Sequence, residues 1–171
     1  MTDADLIAPF WVIQGVGFVA AALGVVSFQL ARDKTMFILL SASALVWALH
    51  FLLLAAPAAA AIHLVTAMRN LGGAWFRFRG VGLAFVLFYI LAAGIGYQNP
   101  WDLLPLVAVL CGTASVFFLS GMKIRFGFLA GSVLWVIFSV NAGSIPGVLM
   151  MSADAISNLR FILRQYRKKT S

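Results

Sequence analysis

Apolar residues in this chain gather into seven long runs, without strand-like alternation or the three-and-four spacing of a half-buried helix. Most runs approach the 20 or so residues that a helix needs to cross a hydrocarbon core about 30 Å thick. The breaks between them fall where charges, proline and glycine cluster. The pattern predicts helices over 9–30, 35–55, 57–76, 80–97, 100–120, 124–141 and 145–166. In lipid, backbone N–H and C=O groups must bond within the chain, so helices are the structure these runs adopt. Pro9, Pro57 and Pro100 stand at helix starts, where a missing N–H costs least. Pro105 and Pro146 fall in the first turns of theirs. The fourth run is the shortest and least polar.

Composition agrees with this reading. Of 171 residues, 63% are hydrophobic and 10% charged, and the mean hydropathy is +1.03. A soluble domain is about 45–50% apolar and about 25% charged, so a water-soluble globular fold is excluded, and intrinsic disorder with it. Seven spans leave about 24 residues for each span and its loop, which points to one membrane domain over 1–171 with no soluble domain. Residues 1–9 carry Asp3 and Asp5 but no Lys or Arg. A cleaved signal peptide has a basic start, so the first run reads as a retained helix. Cys111 is alone, which excludes an intramolecular disulfide and cysteine-rich zinc spacing.

The net charge of +7 would suggest nucleic acid in a soluble protein. Here the cations stand at span ends. Arg32 and Lys34 follow the first run, Arg77 and Arg79 the third, Lys123 and Arg125 the fifth, and Arg164, Arg167, Lys168 and Lys169 close the chain. Arg69 and Arg160 lie inside helices near the same ends. With seven spans all twelve fall on one side, while the loops around Ala56, Asn99 and Gly143 have none. The positive-inside rule then places the N-terminus outside and the C-terminus in the cytoplasm. The expected partner is the lipid bilayer, not nucleic acid; oligomeric state is open.

The chain also resembles itself. At an offset of 88, Gly24 meets Gly112, Ser27 meets Ser115, Trp47 meets Trp135 and Asn70 meets Asn158. At an offset of 91, Arg32 meets Lys123, His63 meets Asp154, Thr66 meets Ser157 and Arg69 meets Arg160. The second register pairs polar with polar in spans three and seven. Both map spans one to three onto five to seven. The expected architecture is therefore an all-α integral membrane protein in a 3+1+3 parallel-repeat arrangement. A first three-helix unit covers 9–76, a linker helix 80–97, a second unit 100–166, and a basic tail 167–171.

Candidate chemistry follows from polar groups inside the runs. Span three carries His63, Thr66, Arg69 and Asn70; span seven carries Asp154, Ser157, Asn158 and Arg160. Each set occupies one side of its helix. Because polar groups facing lipid are expensive, both stripes are expected to face the bundle interior. Asp154 lies roughly 12–14 Å into its span, near the midplane where transporter sites sit. It reads either as a solute-contacting, proton-sensitive carboxylate or as part of a clamp between the halves. Arg69 and Arg160 are possible charge partners, or snorkel towards the cytoplasm. Trp47 and Trp135 lie mid-span, off the interfacial belt that suits Trp11, Trp75 and Trp101, and either line a planar solute or pack the core. His50 reads as a bonded packing histidine. Gly17, Ala20, Ala21 and Gly24 make a face for close helix packing. No nucleotide-binding loop, H-E-x-x-H or G-x-S-x-G motif is present, so no cofactor, no metal and no enzyme are expected.

Several segments together resemble a known family: Trp11 to Gly17 (WVIQGVG), the turn Arg32-Asp33-Lys34, Ala67 to Arg69, Ala142 to Ser144, and Asn158 to Phe161. In order and spacing, from Trp11 to Lys168, they are similar to the YgjV-type bacterial inner-membrane proteins. That resemblance implies a multi-pass protein of the bacterial inner membrane and assigns no substrate. Where the family is expected to carry Asn, this chain has Thr66 and Ser157. More distantly, the 3+1+3 plan is similar to SWEET and PnuC-type transporters, which place Asn and Trp around a central solute. The expected activity is passage of a small solute by alternating access, with Asp154, Ser157, Asn158, His63, Thr66, Asn70, Trp47 and Trp135 as candidate contacts. The alternative is a non-transporting structural or assembly protein.

Overall fold

A computed structural model describes residues 8–73, 75–76 and 78–170. It contains seven α-helices: α1 (Phe10–Ser27), α2 (Asp33–Leu53), α3 (Pro57–Gly73), α4 (Arg79–Gly96), α5 (Leu103–Phe117), α6 (Met122–Asn141) and α7 (Ile145–Thr170). No strand occurs among the described residues. By length and composition, five segments can cross a membrane: Phe10–Ser27, Lys34–Leu53, Arg79–Gly96, Pro100–Phe117 and Met122–Asn141. The other two helices are α3, with 17 residues, and the polar α7, with 26.

Where the helix ends differ from those the sequence predicts, local hydrogen bonding accounts for it. The first helix stops at Ser27, before the predicted end, because the N–H groups of Gln29 and Leu30 turn back to Val26 and Ser27 carbonyls. The fifth opens with a 3₁₀ turn, Pro100–Asp102, held by a reciprocal cap. Asn99 Oδ1 accepts from Trp101 N at 3.0 Å, and the buried Asp102 carboxylate accepts from Gln98 N at 2.8 Å and Asn99 N at 3.0 Å. Asp102 is thus an acid committed to a turn. The last helix runs four residues beyond its predicted end at 166, consistent with basic residues favouring a helix C-terminus.

Two turns share one backbone pattern. After α2, Ala55 N bonds Leu52 O and Ala56 N bonds Phe51 O, with Ala55 at φ 54°. After α6, Gly143 N bonds Val140 O and Ser144 N bonds Ser139 O, with Gly143 at φ 71°. Both are Schellman endings, in which a left-handed residue lets the last carbonyls be satisfied.

Consecutive helices pack side by side, α1 also meets α7, and α3 also meets α5. Contacts therefore trace a circuit α1–α2–α3–α5–α6–α7 and back to α1, with α4 set against α3 and α5. Close approach needs small residues at the seams. A Cβ on Gly17 would collide with the Pro146 ring and come within 2.8 Å of His50, and one on Gly96 would lie 2.5 Å from the Ala58 backbone. One apolar cluster gathers Ala20, Trp47, Phe51 and Phe138, a second Ile62, Tyr89, Ala93 and Val109, and Trp135 packs against both. Large apolar side chains such as Trp11, Leu83 and Ile95 face outward, as a lipid-facing surface requires.

Candidate functional site

The predicted aromatic residues converge. Helix α2 brings Trp47, His50 and Phe51, α3 brings His63, and α6 brings Trp135 and Phe138. Ring centroids of His63 and Trp135 lie 4.9 Å apart, His63 and Phe51 5.2 Å, Phe51 and Trp135 5.8 Å, and Trp47 and His63 6.1 Å. These are contact separations for aromatic rings. Trp47 and Trp135 thus flank His63 and Phe51, which occupy the space between them. His63 Nδ1 donates to Ala59 O at 3.0 Å, and Nε2 makes no hydrogen bond with a described residue.

Beside this cluster, the start of α7 is tied to α1 and α2. His50 is fully buried, with Nδ1 2.9 Å from Ile13 O and Nε2 2.7 Å from Ser144 Oγ. A carbonyl can only accept, so Nδ1 carries a proton; in the neutral ring Nε2 then accepts from Ser144. Ser144 Oγ in turn accepts from Gly147 N at 3.1 Å. Gln14 completes the tie, donating Nε2 to Gly143 O at 3.0 Å and accepting from Ile145 N at 2.9 Å. The single polar residue in the first half of α1 therefore satisfies both ends of an amide against the α6–α7 turn. Sequence reading did not place Gln14 or Ser144 in a site. The available signal was a lone Gln within an apolar run, without a stripe to draw attention to it.

Asp154 hydrogen-bonds Ser132 of α6, whose hydroxyl also lies 2.9 Å from Phe128 O. Asp154, Ser157 and Arg160 are exposed, so of the α7 stripe only Asn158 faces the bundle interior as expected; Asp154 makes no ion pair with a described residue. Asn158 is buried. It donates to Asp154 O at 3.0 Å and accepts from Arg125 Nη1 at 3.2 Å, while the Arg125 guanidinium lies 4.5 Å from the Phe161 ring centroid.

On α3, Thr66 donates to Ile62 O at 2.9 Å and lies 3.0 Å from the hydroxyl of the buried Tyr89 of α4. Arg69 reaches Thr113 of α5 at 3.4 Å and Asn70 at 3.2 Å, and Asn70 donates to Leu40 O of α2 at 3.3 Å. The α3 stripe is therefore shared among several neighbours: His63 meets α2 and α6, Thr66 α4, Arg69 α5 and Asn70 α2.

Helix α6 links the two stripes. Trp135 meets His63 of α3, and one turn away Ser132 meets Asp154 of α7. Asn70 and Asn158 are both buried and accept from an arginine, but the partners differ: Asn70 takes its neighbour Arg69 and donates to α2, whereas Asn158 takes Arg125 of α6 and donates within α7; Arg69 and Arg160 do not match either, because Arg160 is exposed and makes no bond with a described residue. Two open hollows lie along α7 towards its C-terminal end. One of about 540 Å³ includes Met122, Arg125, Phe128, Phe161 and Gln165. The other, about 560 Å³, is bounded by Ala153, Ile156, Ser157, Arg160, Phe161 and Arg164. No group of three or more His, Cys, Asp or Glu side chains suited to a metal comes together among the described residues.

The chain is similar to the inner membrane protein YgjV of Escherichia coli (strain K12): 29% identity over 161 residues, covering 92% of this chain and 86% of that protein. No solved structure matches it. Residues 11–169 match the family described as bacterial inner membrane protein, Imp-YgjV, and the chain belongs to that family as a multi-pass protein of the bacterial inner membrane.

Proposed function

We propose that the chain spans the membrane seven times, N-terminus outside and C-terminus in the cytoplasm, and passes a small solute by alternating access between two three-helix units, α1–α3 and α5–α7, joined by α4. The observation that carries this reading is the pairing of seams. Exchanging α1 with α5 and α3 with α7 turns the α1–α7 contact into the α3–α5 contact, and both occur. One further correspondence supports it at the offset of 88: the left-handed residues Ala55 and Gly143 end α2 and α6 alike. On this reading the aromatic cluster and the Gln14–His50–Ser144 tie close the outer side. Asp154, Ser157, Asn158, His63, Thr66 and Asn70 supply polar contacts as the units rock, with Trp47 and Trp135 as walls. Because a mid-span carboxylate is costly in lipid, Asp154 is the residue whose presence most needs a function.

The test begins with a thermal-shift screen of the purified chain against sugars, nucleosides, vitamins and amino acids, followed by uptake of the best ligand into liposomes. Asp154→Asn and Asn158→Ala are expected to reduce flux about tenfold, on the order of one lost hydrogen bond to a charged group. Unchanged flux in both variants refutes this site. A second reading is a structural or assembly protein without transport. It is favoured by the engagement of Thr66, Arg69 and Asn158 in helix-to-helix bonds. It predicts that the same substitutions lower the melting temperature and leave ligand binding unaltered.

A further inference from the structure

Arg69 of α3, Arg125 of α6 and Arg160 and Arg164 of α7 divide into two kinds. Arg69 and Arg125 are committed: one bonds Thr113 and Asn70, the other bonds Asn158 and stacks on Phe161. Arg160 and Arg164 are exposed, and neither makes a hydrogen bond or ion pair with a described residue. Both border the same open hollow of about 560 Å³ along one face of α7, whose lining is drawn from that helix alone and holds the hydroxyl-bearing Ser157 but no carboxylate.

Spacing places these donors together. Ser157, Arg160 and Arg164 follow one another by three and four residues, so they share one side of α7. Phe161, with Ala153 and Ile156, supplies the apolar border. On the seven-span reading proposed above, on which this inference rests, Arg160 lies roughly 22 Å along the helix from Ile145, so its backbone stays inside a hydrocarbon layer about 30 Å thick. A guanidinium at that depth needs water, a carbonyl or an anion, and the described residues offer it none. Two planar forks beside a hydroxyl, with apolar surface alongside, suit a phosphate group on a carrier that is itself partly apolar.

We propose that this hollow is an anion site that takes a phosphate group, borne by a phospholipid head group or by a free phosphorylated solute. The site borders the solute path proposed above through Ser157 but does not depend on transport.

Thermal shift of the full chain in a neutral detergent tests it, with three additions: phosphatidylglycerol, phosphatidylcholine as the zwitterionic control, and glycerol 3-phosphate, which has the phosphate without acyl chains. The variant is Arg160→Gln/Arg164→Gln. Arg32→Gln/Lys34→Gln removes the same charge from the start of α2, outside the lining of the hollow. One or both anionic additions should raise the melting temperature of the wild type and of the α2 variant, with binding about thirtyfold weaker in Arg160→Gln/Arg164→Gln. A response to phosphatidylglycerol alone assigns the site to lipid, and a response to glycerol 3-phosphate assigns it to the phosphate itself. No shift with either anion, equal binding in the α7 variant, or an equal loss in the α2 variant overturns the proposal. Should the double variant not fold, Arg160→Lys replaces it. That variant keeps the charge but loses the fork, and wild-type affinity in it would likewise overturn the proposal.

Discussion

At the scale of single residues, the two Schellman turns offer a controlled comparison, because one uses the residue that the geometry prefers and the other does not. Ala55 holds φ 54° and Gly143 holds φ 71°. An L-residue in the left-handed region costs roughly 1–2 kcal/mol, a cost that glycine escapes. A Cβ on Gly143 would meet nothing within 4 Å, so a substitution there tests conformation alone. Ala55→Gly is expected to stabilise the chain by about 1 kcal/mol and Gly143→Ala to destabilise it by about the same. Melting temperatures in detergent should rise for the first and fall for the second; the same sign for both would contradict the shared turn. The contrast also shows what a lone residue cannot reveal. Nothing in the string around Ala55 marks a left-handed position, whereas Gly143 carries its own signal.

At the scale of helices, the elements themselves were legible, because an apolar run of spanning length between charged breaks has few alternatives in lipid. What each helix face meets was less legible. The stripe His63, Thr66, Arg69 and Asn70 is real as a stripe, yet its members reach α6, α4, α5 and α2 in turn. A face about 100° wide on a helix surrounded by neighbours touches several of them, and periodicity reports the face without naming the neighbour. The aromatic cluster shows the same limit. Trp47 and Trp135 stood out as mid-span tryptophans, but Phe51 and Phe138 look like any lipid-facing phenylalanine until α2 and α6 are placed. Arg125 is a further case: by position it marks topology, while in the fold it binds α6 to α7 through Asn158 and covers Phe161. A double-mutant cycle of Arg125→Ala and Asn158→Ala should give a coupling of about 0.6–1.7 kcal/mol, the range of hydrogen bonds between helices in membranes. Additive losses would mean that the two side chains act independently.

At the scale of the whole molecule, the proposed units α1–α3 and α5–α7 are joined differently at the start of α7 and further along it. At the start of α7, Gln14 and His50 hold residues 143–145, and Pro146 fits against Gly17. Further along α7 the side facing the second hollow, with Ser157, Arg160 and Arg164, is exposed. On the proposed topology the start of α7 is tied at the outer side and its exposed face lies towards the cytoplasm, while Arg69 still joins α3 to α5 through Thr113 on that side. Thiol labelling reads both properties at once. With Cys111→Ser as the background, Ser157→Cys should react with a membrane-impermeant maleimide in inside-out vesicles and stay unreactive in right-side-out ones. Ser144→Cys, at 1% exposure in the wild-type residue, should resist the reagent in both. Adding His50→Ala removes the partner that packs against it and should make that thiol reactive from the outer face alone. The sign of each result is fixed by topology and its presence by the tie. Labelling of Ser157→Cys from the outside would reverse the orientation, and a Ser144→Cys that labels as fast with His50 as without it would dissolve the outer closure.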